Sequence, residues 1–355
     1  MSLGVSIVVC CHNSAKRLPN TLAHIANQKI PDDVSCEVIV VDNASTDGSA
    51  ALAQELWPRT SRIPLRVVEE LQLGLSFARH RGIIEARYEL VSLIDDDNWA
   101  YPEWVSVAAE IMAQHPEVGA CGGYNEAVCE VTPPAWFERF KASYAVGAQG
   151  RGTGDVTDTR GFLWGAGLTI RKSAWQQLVD SGYQSLLVDR QGEKLSAGQD
   201  TELCFALRLA GWRLWYDPRL MLSHYLSAGR LKWQYLRLLC RGFGEASVSF
   251  DSYEIAFNSN DAPDGFVKRV KTIWLWRTLA TIKSLLRHPI KLALSLRMPL
   301  ESDPDVLWIE NYWGRLCELF RRRKTYGYTI REVNAAPWRR SGVADSELIT
   351  QLRIG

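Results

Sequence analysis

The chain has 355 residues, with 41 Lys and Arg residues against 40 Asp and Glu residues. A domain usually takes ~100–200 residues, so this length allows one large domain or two ordinary ones. Apolar residues make up 46% of the chain and charged residues 23%, which is ordinary globular usage and excludes a disordered chain. The eight cysteines are scattered without a CxxC pair, so the sequence predicts neither a disulfide framework nor a zinc site and favours a reducing cytoplasm.

The sequence shows no signal for secretion or for crossing a membrane. It begins MSLGVSIVVCCHN, without the basic segment that opens a signal peptide. No stretch reaches the ~18 uncharged apolar residues of a membrane span. The net charge of +1 conceals one unusual segment, because residues 265–300 carry eight basic side chains and no acidic one. We therefore expect a distinct surface there.

The first hundred residues alternate strand and helix patterns. Short β-branched or apolar runs predict strands at 5–10, 38–41, 65–68 and 90–94. Helical spacing predicts helices from about residue 18, from the turn after Asp47 to Leu56, and over 76–87. Continuous apolar strands that alternate with helices predict an α/β fold with a mostly parallel sheet flanked by helices.

The second part of the chain is less regular. We expect mobile loops at 147–160 and 188–198, a helix over 203–210, and a strand over 212–216 that ends at Asp217-Pro218. From about residue 226 the pattern becomes helical, basic and rich in Trp. The sequence therefore predicts two domains, a sheet domain at 1–225 and a mainly helical C-terminal region at 226–355.

The sequence LIDDDNW at 93–99 places three carboxylates directly after a buried strand. Ligands of such sheets bind beyond the carboxyl ends of the strands, where the pairs His12-Asn13 and Asp42-Asn43 also fall. A divalent cation between carboxylate and phosphate oxygens would relieve their repulsion. A solvated acidic turn before the next helix would explain the same residues.

Two later motifs are ambiguous by themselves. In GQDTEL, at 198–203, Asp200 and Glu202 open a helix, where carboxylates are favoured simply by the free N–H groups. His224, in LMLSHYL, is by itself more typical of a core histidine than of a metal ligand.

The order of these motifs is more specific than any one of them. The strand followed by HN, the strand followed by DNASTDGS, the GLSFARHRGI helix, DDDNW, GQDTEL and finally His224 together resemble family 2 glycosyltransferases of the GT-A fold over roughly residues 4–225. The resemblance implies an inverting enzyme that moves a sugar from a nucleotide diphosphate donor, with a UDP-sugar favoured, to an acceptor hydroxyl. It also implies Mn²⁺ or Mg²⁺ as cofactor.

The resemblance also implies a role for each matching residue. Asp200 would be the general base, and Asp97 and His224 the metal ligands. Acceptor or sugar contacts would come from Trp164, Gly165 and Glu202. Donor contacts would come from Cys10, His12, Asn13, Asp42, Gly74, Arg79, Asp95 and Asp96.

This sequence departs from the family pattern at three points. Gln199 stands where a Glu often precedes the base, and His12 replaces a frequent tyrosine. The Q-x-x-R-W motif of processive synthases is absent, because Leu238 follows Arg237. We therefore expect a non-processive enzyme.

Two other function classes remain as alternatives. A sugar-phosphate nucleotidyltransferase usually has a G-x-G-T-R loop after its first strand, and this chain has Cys-His-Asn-Ser-Ala there. A non-catalytic glycan- or lipid-binding module would not require Asp97, Asp200 and His224 together.

The prediction of binding partners for the C-terminal region is based on the basic segment 265–300. Its cations and Trp residues are typical of an interfacial helix, so we expect contact with the inner face of the plasma membrane and a glycan or lipid-linked acceptor. A helical subdomain with its apolar side on the core, or a homodimer interface, would explain the same pattern. No nucleic-acid-binding motif is present, so we expect no nucleic acid partner.

Overall fold

The computed structural model describes residues 4–187, 197–258, 272–287, 289, 292–293 and 301–340. The chain divides into two compact units. The first contains Met1–Glu130, Tyr144–Asp180 and Trp212–Leu226; the second contains Val131–Ser143, Ser181–Gly211 and Ser227–Gly355.

The strands of the described residues form one sheet in the first unit. They are β1 (Gly4–Cys11), β2 (Ser35–Asp42), β3 (Leu65–Glu69), β4 (Leu90–Asp95), β5 (Asn98–Ala100), β6 (Val118–Cys129), β7 (Gly154–Asp155), β8 (Leu168–Arg171) and β9 (Arg213–Leu226). Their order is β3-β2-β1-β4-β8-β6-β9-β5, with β7 on β9. The first four strands in this order are parallel to one another, while β8 and β5 run antiparallel to their neighbours.

Helices flank the sheet and make up most of the second unit. They are α1 (Leu18–Ala26), α2 (Ser49–Leu56), α3 (Leu75–Glu85), α4 (Trp104–Gln114), α5 (Phe137–Phe140), α6 (Lys172–Asp180), α7 (Gln199–Leu209), α8 (Trp233–Phe257), α9 (Trp274–Leu286), α10 (Pro304–Arg321) and α11 (Tyr326–Asn334). Helices α1–α4 and α6 belong to the first unit, and α5 and α7–α11 to the second. The predicted α/β fold with a mainly helical C-terminal region is confirmed.

The core of the first unit includes one face of β1, because alternate side chains of a strand point to the same side. Val5, Ile7 and Val9 of β1 are each at most 1% exposed and pack in one cluster with apolar residues of α1 and α4. Trp104, at the start of α4, is fully buried in this cluster. The cluster holds the sheet rigid, so the loops beyond its carboxyl ends are held at fixed positions.

Strand β9 is longer than the sequence predicts. We expected it to end at Asp217-Pro218, but it continues to Leu226 and carries His224. The pairing with β6 is irregular at this point, between Gly122 and Tyr124. Proline is tolerated at such irregularities because it lacks the N–H that a regular ladder requires. The continuation of β9 is what brings His224 to the site.

In the second unit, α8 and α10 approach closely through two glycines. A Cβ atom at Gly244 would lie 1.8 Å from Asn311 O, and one at Gly314 would lie 2.1 Å from Arg241 O. Any larger residue would force the two helices apart. Among the helices of the described residues, none combines the length and the apolarity that a membrane span requires.

Candidate functional site

The three consecutive aspartates form the turn between β4 and β5. Asn98, which is fully buried, holds this turn: its Nδ2 donates to Asp97 Oδ1 at 2.9 Å and its Oδ1 accepts from Asp95 N at 3.3 Å. The backbone of Asp97 is fixed as well, because its carbonyl accepts from Tyr225 N of β9 at 2.8 Å. The turn is therefore rigid, and its carboxylates point in set directions.

Asp97 faces His224 across the pairing of β5 with β9. His224 Nε2 lies 3.7 Å from Asp97 Oδ1, and both side chains are nearly buried. His224 Nδ1 lies 2.9 Å from the carbonyl oxygen of Tyr144. A carbonyl only accepts, so this hydrogen bond requires the proton on Nδ1, and in the neutral imidazole the lone pair is then on Nε2, the nitrogen nearest Asp97.

The distance between these two groups is suited to a shared cation. Two ligand atoms that each lie ~2.1 Å from one cation are ~3.0–3.7 Å apart when the angle between them is about 90–120°. Among the described residues, no group of three or more His, Cys, Asp and Glu side chains is arranged to hold a metal ion. The described residues therefore offer at most two such side chains at this position.

Asp96 points away from this pair and is held inside the domain. Its carboxylate accepts a hydrogen bond from Ser14 Oγ and pairs with Arg17 Nη2 at 2.6 Å, and its carbonyl accepts from Thr21 Oγ1 at 2.8 Å. Burial raises the pKa of the Asp96 carboxyl, Arg17 lowers it, and the charge of Asp97 raises it. Asp96 thus joins the turn to the loop after β1.

Asp95 and Cys10 lie side by side on neighbouring strands. Cys10 pairs with Asp95 in the register of β1 and β4, and Arg79 Nη2 of α3 lies 3.1 Å from Asp95 Oδ1. Burial raises the pKa of the Cys10 thiol to about 12, so the thiol is neutral at physiological pH. The structure thus brings together three of the predicted donor residues.

The loop after β1 is joined to the loop after β2. Asn13 has a left-handed backbone with φ of 49°, and its Oδ1 accepts from Thr46 N at 2.9 Å. His12 is exposed, and its Nδ1 lies 2.7 Å from Asn43 O. Asp47 accepts from Ala15 N at 2.9 Å. These contacts give Asn13 a positioning role and leave the His12 ring at the surface.

Asn43 organises the next loop, although no separate role was predicted for it. It is 4% exposed; its Nδ2 donates to Glu70 O and Gln72 O at 3.0 and 2.8 Å, and its Oδ1 accepts from Gly74 N at 2.8 Å. Gly74 has a φ of 148°, which favours glycine. The pair Asp42-Asn43 was the only sequence signal for this arrangement.

Asp42 ends β2 beside these loops. It is 8% exposed, and Cys11 Sγ lies 3.9 Å from its Oδ1. The sequence did not single out Ser14, Arg17 or Asn98 as site residues either. The contacts of these three residues join positions that are far apart in the chain, so no local sequence pattern predicts their role.

Trp164 and Gly165, the predicted sugar or acceptor contacts, have Gln149, Arg160 and Leu168 as neighbours. Trp164 is 9% exposed, and its backbone N–H donates to Gln149 Oε1 at 2.7 Å. The guanidinium of Arg160 lies 4.6 Å from the centre of the Trp164 ring. Gly165 O accepts from Leu168 N at 3.3 Å. In this conformation a cation rather than a sugar covers one face of the Trp164 ring.

Asp200 and Glu202 belong to the second unit, in the first turn of α7. Asp200 is half-buried and its Oδ1 accepts from Thr201 N at 2.9 Å. Glu202 is fully buried and accepts hydrogen bonds from Leu186 N at 2.7 Å and Tyr253 Oη at 2.9 Å. A carboxylate without exposed surface cannot touch an acceptor, so the expected acceptor contact of Glu202 does not exist in this conformation.

The comparison with known families agrees with the geometry of the first unit. Residues 6–178 match the family model described as Glycosyl transferase family 2. Residues 6–178 are a family 2 glycosyltransferase domain. The matched segment covers Asp97 and the turn around it, whereas His224 and Asp200 lie beyond it. The predicted family is therefore confirmed for the transferase domain.

Curated relatives match this domain at modest identity. The chain is 31% identical over 100 residues to a putative glycosyltransferase, EpsH, of Bacillus subtilis, and the match covers 28% of each chain. It is 33% identical over 121 residues to chondroitin synthase of Escherichia coli, covering 34% of this chain and 17% of the relative. It is 24% identical over 220 residues to a glucosyl-dolichyl phosphate glucuronosyltransferase of Haloferax volcanii, covering 61% and 66%. The matches thus span between about a sixth and two thirds of these relatives.

Solved structures confirm the expected GT-A fold. TarS 1-349 of S. aureus in complex with UDP-GlcNAc has a TM-score of 0.50 and 14% identity, and the match covers 93% of this chain and 92% of that one. The mannosyltransferase PcManGT of Pyrobaculum calidifontis, in complex with GDP-Man and Mn²⁺, has a TM-score of 0.50 and 16% identity, covering 93% and 86%. At these identities the similarity establishes the fold of the transferase domain and not its substrate.

Proposed function

We propose that this protein is an inverting, metal-dependent glycosyltransferase that moves a sugar from a nucleotide diphosphate sugar to a hydroxyl group of a glycan or lipid-linked acceptor. One observation carries the proposal: Asp97 lies in the segment that matches family 2, and its Oδ1 is 3.7 Å from Nε2 of His224, whose Nδ1 lies 2.9 Å from Tyr144 O. A binding module does not require this pair, and the loop after β1 lacks the G-x-G-T-R sequence that is usual in a nucleotidyltransferase.

Asp97 and His224 are the residues that would hold the cation. A carboxylate oxygen with an imidazole nitrogen suits Mn²⁺, and Mg²⁺ is often bound through one or two carboxylates and substrate phosphates. When bound, the cation would neutralise charge on the departing diphosphate. The Mn²⁺ in the structure of the Pyrobaculum mannosyltransferase agrees with this proposal.

The donor nucleotide would bind at the carboxyl ends of β1, β2 and β4, where open parallel sheets bind ligands. We assign Asp42 to a ring N–H of the base, which would suit uracil or thymine and which guanine also has; a UDP-sugar is the donor that we favour. Cys10, His12 and Asp95 are assigned to the base and ribose. Arg79 keeps Asp95 oriented through its 3.1 Å ion pair.

Asp200 is assigned as the general base. It would take the proton from the acceptor hydroxyl while that oxygen attacks the anomeric carbon from the face opposite the diphosphate, which inverts the configuration. The assignment rests on the GQDTEL motif and on the position of Asp200 in the first turn of α7. The residue before Asp200, Gln199, is uncharged, whereas a Glu often precedes the base in the family pattern.

We propose a cellular location from two features, the lipid-linked acceptor and the basic segment 265–300. A lipid-linked acceptor would locate the enzyme at the inner face of the plasma membrane, as a peripheral cytoplasmic protein. Much of the segment 265–300 lies outside the described residues, including Lys268, Arg269, Lys271, Lys291 and Arg297.

Donor binding and donor hydrolysis test the proposal in two steps. Thermal unfolding is measured with UDP, dTDP, GDP and CDP, each with and without Mn²⁺, and the nucleotide that binds identifies the donor sugar series. A nucleotide at 100 times its Kd stabilises the fold by about 2.7 kcal/mol. The slow release of nucleotide from that donor without acceptor is then compared between the wild type and Asp200→Asn.

Two variants separate the possible outcomes. We expect Asp97→Ala to lose the Mn²⁺-dependent stabilisation, and Asp33→Ala, an exposed aspartate before β2, to keep it. We expect Asp200→Asn to bind nucleotide normally and to hydrolyse the donor much more slowly. No stabilisation by any nucleotide would remove the transferase proposal, and normal hydrolysis by Asp200→Asn would remove only the base assignment.

A further inference from the structure

Helix α9 buries its polar side chains and exposes its apolar ones. Arg277, Thr278 and Thr281 are 7%, 2% and 4% exposed. Leu275, Trp276 and Leu279 on the opposite side are 49%, 52% and 52% exposed. A helix at the surface of a soluble domain normally has the reverse arrangement. The alternative that the sequence left open, in which the apolar side packs on the core with cations outside, is therefore not what the structure shows for α9.

The buried side of α9 faces opposite charges on α8, although Nε and Nη2 of Arg277 have no hydrogen-bond partner among the described residues. Arg277 Nη2 lies 3.7 Å from Asp251 Oδ1 and 3.8 Å from Glu254 Oε2 of α8. The hydroxyl groups of Thr278 and Thr281 donate to carbonyl oxygens of their own helix at 2.9 and 2.7 Å. The orientation of α9 is thus fixed by ion pairs with α8, so the apolar side is held outward.

The exposed apolar surface continues onto the neighbouring helix. Trp313 and Phe320 of α10 are 54% and 50% exposed, and the Phe320 ring contacts the Trp274 ring of α9 with a centroid distance of 5.7 Å. Large apolar side chains exposed together on adjacent helices mark an interaction surface. We name this surface the α9–α10 face; it consists of Leu275, Trp276, Leu279, Leu286, Trp313 and Phe320.

Basic residues adjoin the α9–α10 face. Lys283 and Arg287 are exposed at the C-terminal end of α9, and Arg321, Arg323 and Lys324 are exposed at the end of α10. The one acidic side chain near the end of α10, Glu318, is nearly buried and pairs with Arg321 at 2.5 Å. The face therefore combines Trp, Phe and Leu side chains with a positively charged border.

We propose that the α9–α10 face docks the protein onto an anionic lipid bilayer surface. Its Trp and Leu side chains would enter the boundary between headgroups and acyl chains, and its cations would contact lipid phosphates. A second copy of the chain is a poorer occupant, because a twofold interface would place the same cations against each other. This inference does not depend on sugar transfer, and its test uses no donor.

The test is sedimentation of the full-length protein with vesicles of phosphatidylcholine, with and without phosphatidylglycerol. We expect binding to the anionic vesicles and weakening of that binding by added salt. Trp276→Ser with Leu279→Ser removes two exposed apolar side chains and should weaken binding by about tenfold, which corresponds to about 1.4 kcal/mol. Leu56→Ser with Ile84→Ser is the matched control, since these exposed residues lie in the first unit.

Each outcome decides for or against the proposal. Weaker binding of the α9 variant, with normal binding of the control, supports it. Equal binding of the two double variants would overturn it. Size-exclusion chromatography of the same variants adds a second criterion: a dimer in the wild type that the α9 variant converts to a monomer, without vesicle binding by the wild type, would assign the face to a second copy instead.

Discussion

His224 Nε2 lies 3.7 Å from Asp97 Oδ1, although the two residues belong to separate parts of the sequence. The pairing of β5 with β9 creates this proximity, because Asn98, next to Asp97, pairs with His224. Two further contacts make the geometry rigid: Asn98 Nδ2 donates to Asp97, and Tyr144 O holds His224 Nδ1. The pair is thus preorganised before any ligand binds.

His224→Ala should weaken Mn²⁺-dependent nucleotide binding while leaving the fold intact. The variant removes one of the two protein ligands that we assign to the cation, and we expect a loss of affinity of about 10–100-fold, similar to the loss caused by disturbing metal-site partners. Calorimetric titration with Mn²⁺ and UDP measures the effect. His80→Ala is the control, because His80 is exposed and makes only an edge-to-face ring contact with Trp175, with a centroid distance of 5.2 Å. Unchanged affinity in His224→Ala would exclude this histidine from the site.

Asn43→Ala should destabilise the domain by about 2–4 kcal/mol, because it leaves buried backbone groups without partners. The affected groups are the carbonyls of Glu70 and Gln72 and the N–H of Gly74. Urea denaturation measures the change. Asn20→Ala, at an exposed position in α1, should change stability by about 0.5 kcal/mol or less. A similar small change in Asn43→Ala would show that these loops do not depend on Asn43.

Glu202→Gln should change how stability depends on pH. Burial raises the pKa of Glu202 above its ordinary value of 4.5, so the folded protein binds this proton more tightly than the unfolded chain does. The stability that the bound proton contributes is lost as pH rises from 4.5 through the raised value. Glutamine carries no such proton, so the melting temperature of the variant relative to wild type should increase over this interval.

Thermal melts of both proteins across this pH interval measure the effect. Parallel curves for wild type and Glu202→Gln would mean that Glu202 does not titrate in the folded state. The donors around Glu202, which include Leu186 N and Tyr253 Oη, would then hold it ionised at all these pH values.

Asp251→Asn should destabilise the second unit and weaken the attachment of α9. Asp251 is 2% exposed, pairs with Arg315 at 2.6 Å, accepts from Tyr326 Oη at 2.9 Å and faces Arg277. Removing one partner of a buried ion pair costs about 3–5 kcal/mol. Limited proteolysis should cut near α9 faster in this variant.

The control for this variant is Glu332→Gln, at an exposed position of α11. It should leave both the unfolding transition and the proteolysis rate unchanged. Equal rates of cleavage in Asp251→Asn and wild type would show that the ion pairs of Asp251 do not hold α9 in place.

The alternation of apolar runs and helical spacing was enough to predict the first half of the sheet. Strand β2, predicted at 38–41, extends over Ser35–Asp42, and helix α3, predicted at 76–87, extends over Leu75–Glu85. These elements are local, since burial on both sides of a parallel strand leaves a continuous apolar run in the sequence. The order of the short motifs then identified the family.

Strand β9 shows where a local pattern failed. Asp217-Pro218 is typical of a turn, but the pairing with β6 tolerates it at an irregular position. For helix α9 the sequence left open whether the apolar side faces outward or packs on the core. The structure has the apolar side outward, because Arg277 is buried facing Asp251 and Glu254 of α8. In each case residues from another part of the chain decided what the local pattern could not.

The sequence by itself determined the class of fold and the family, and it named the residues to which we assign the chemistry. The tertiary structure alone decided that Asp97 meets His224, that Asn43 supports the loop before Gly74, and that Glu202 is buried rather than available to a substrate. The physical reason for this difference is the separation along the chain of the residues that interact. Propensity and burial patterns act between near neighbours and leave a periodic trace, whereas a hydrogen bond or ion pair between distant strands leaves none.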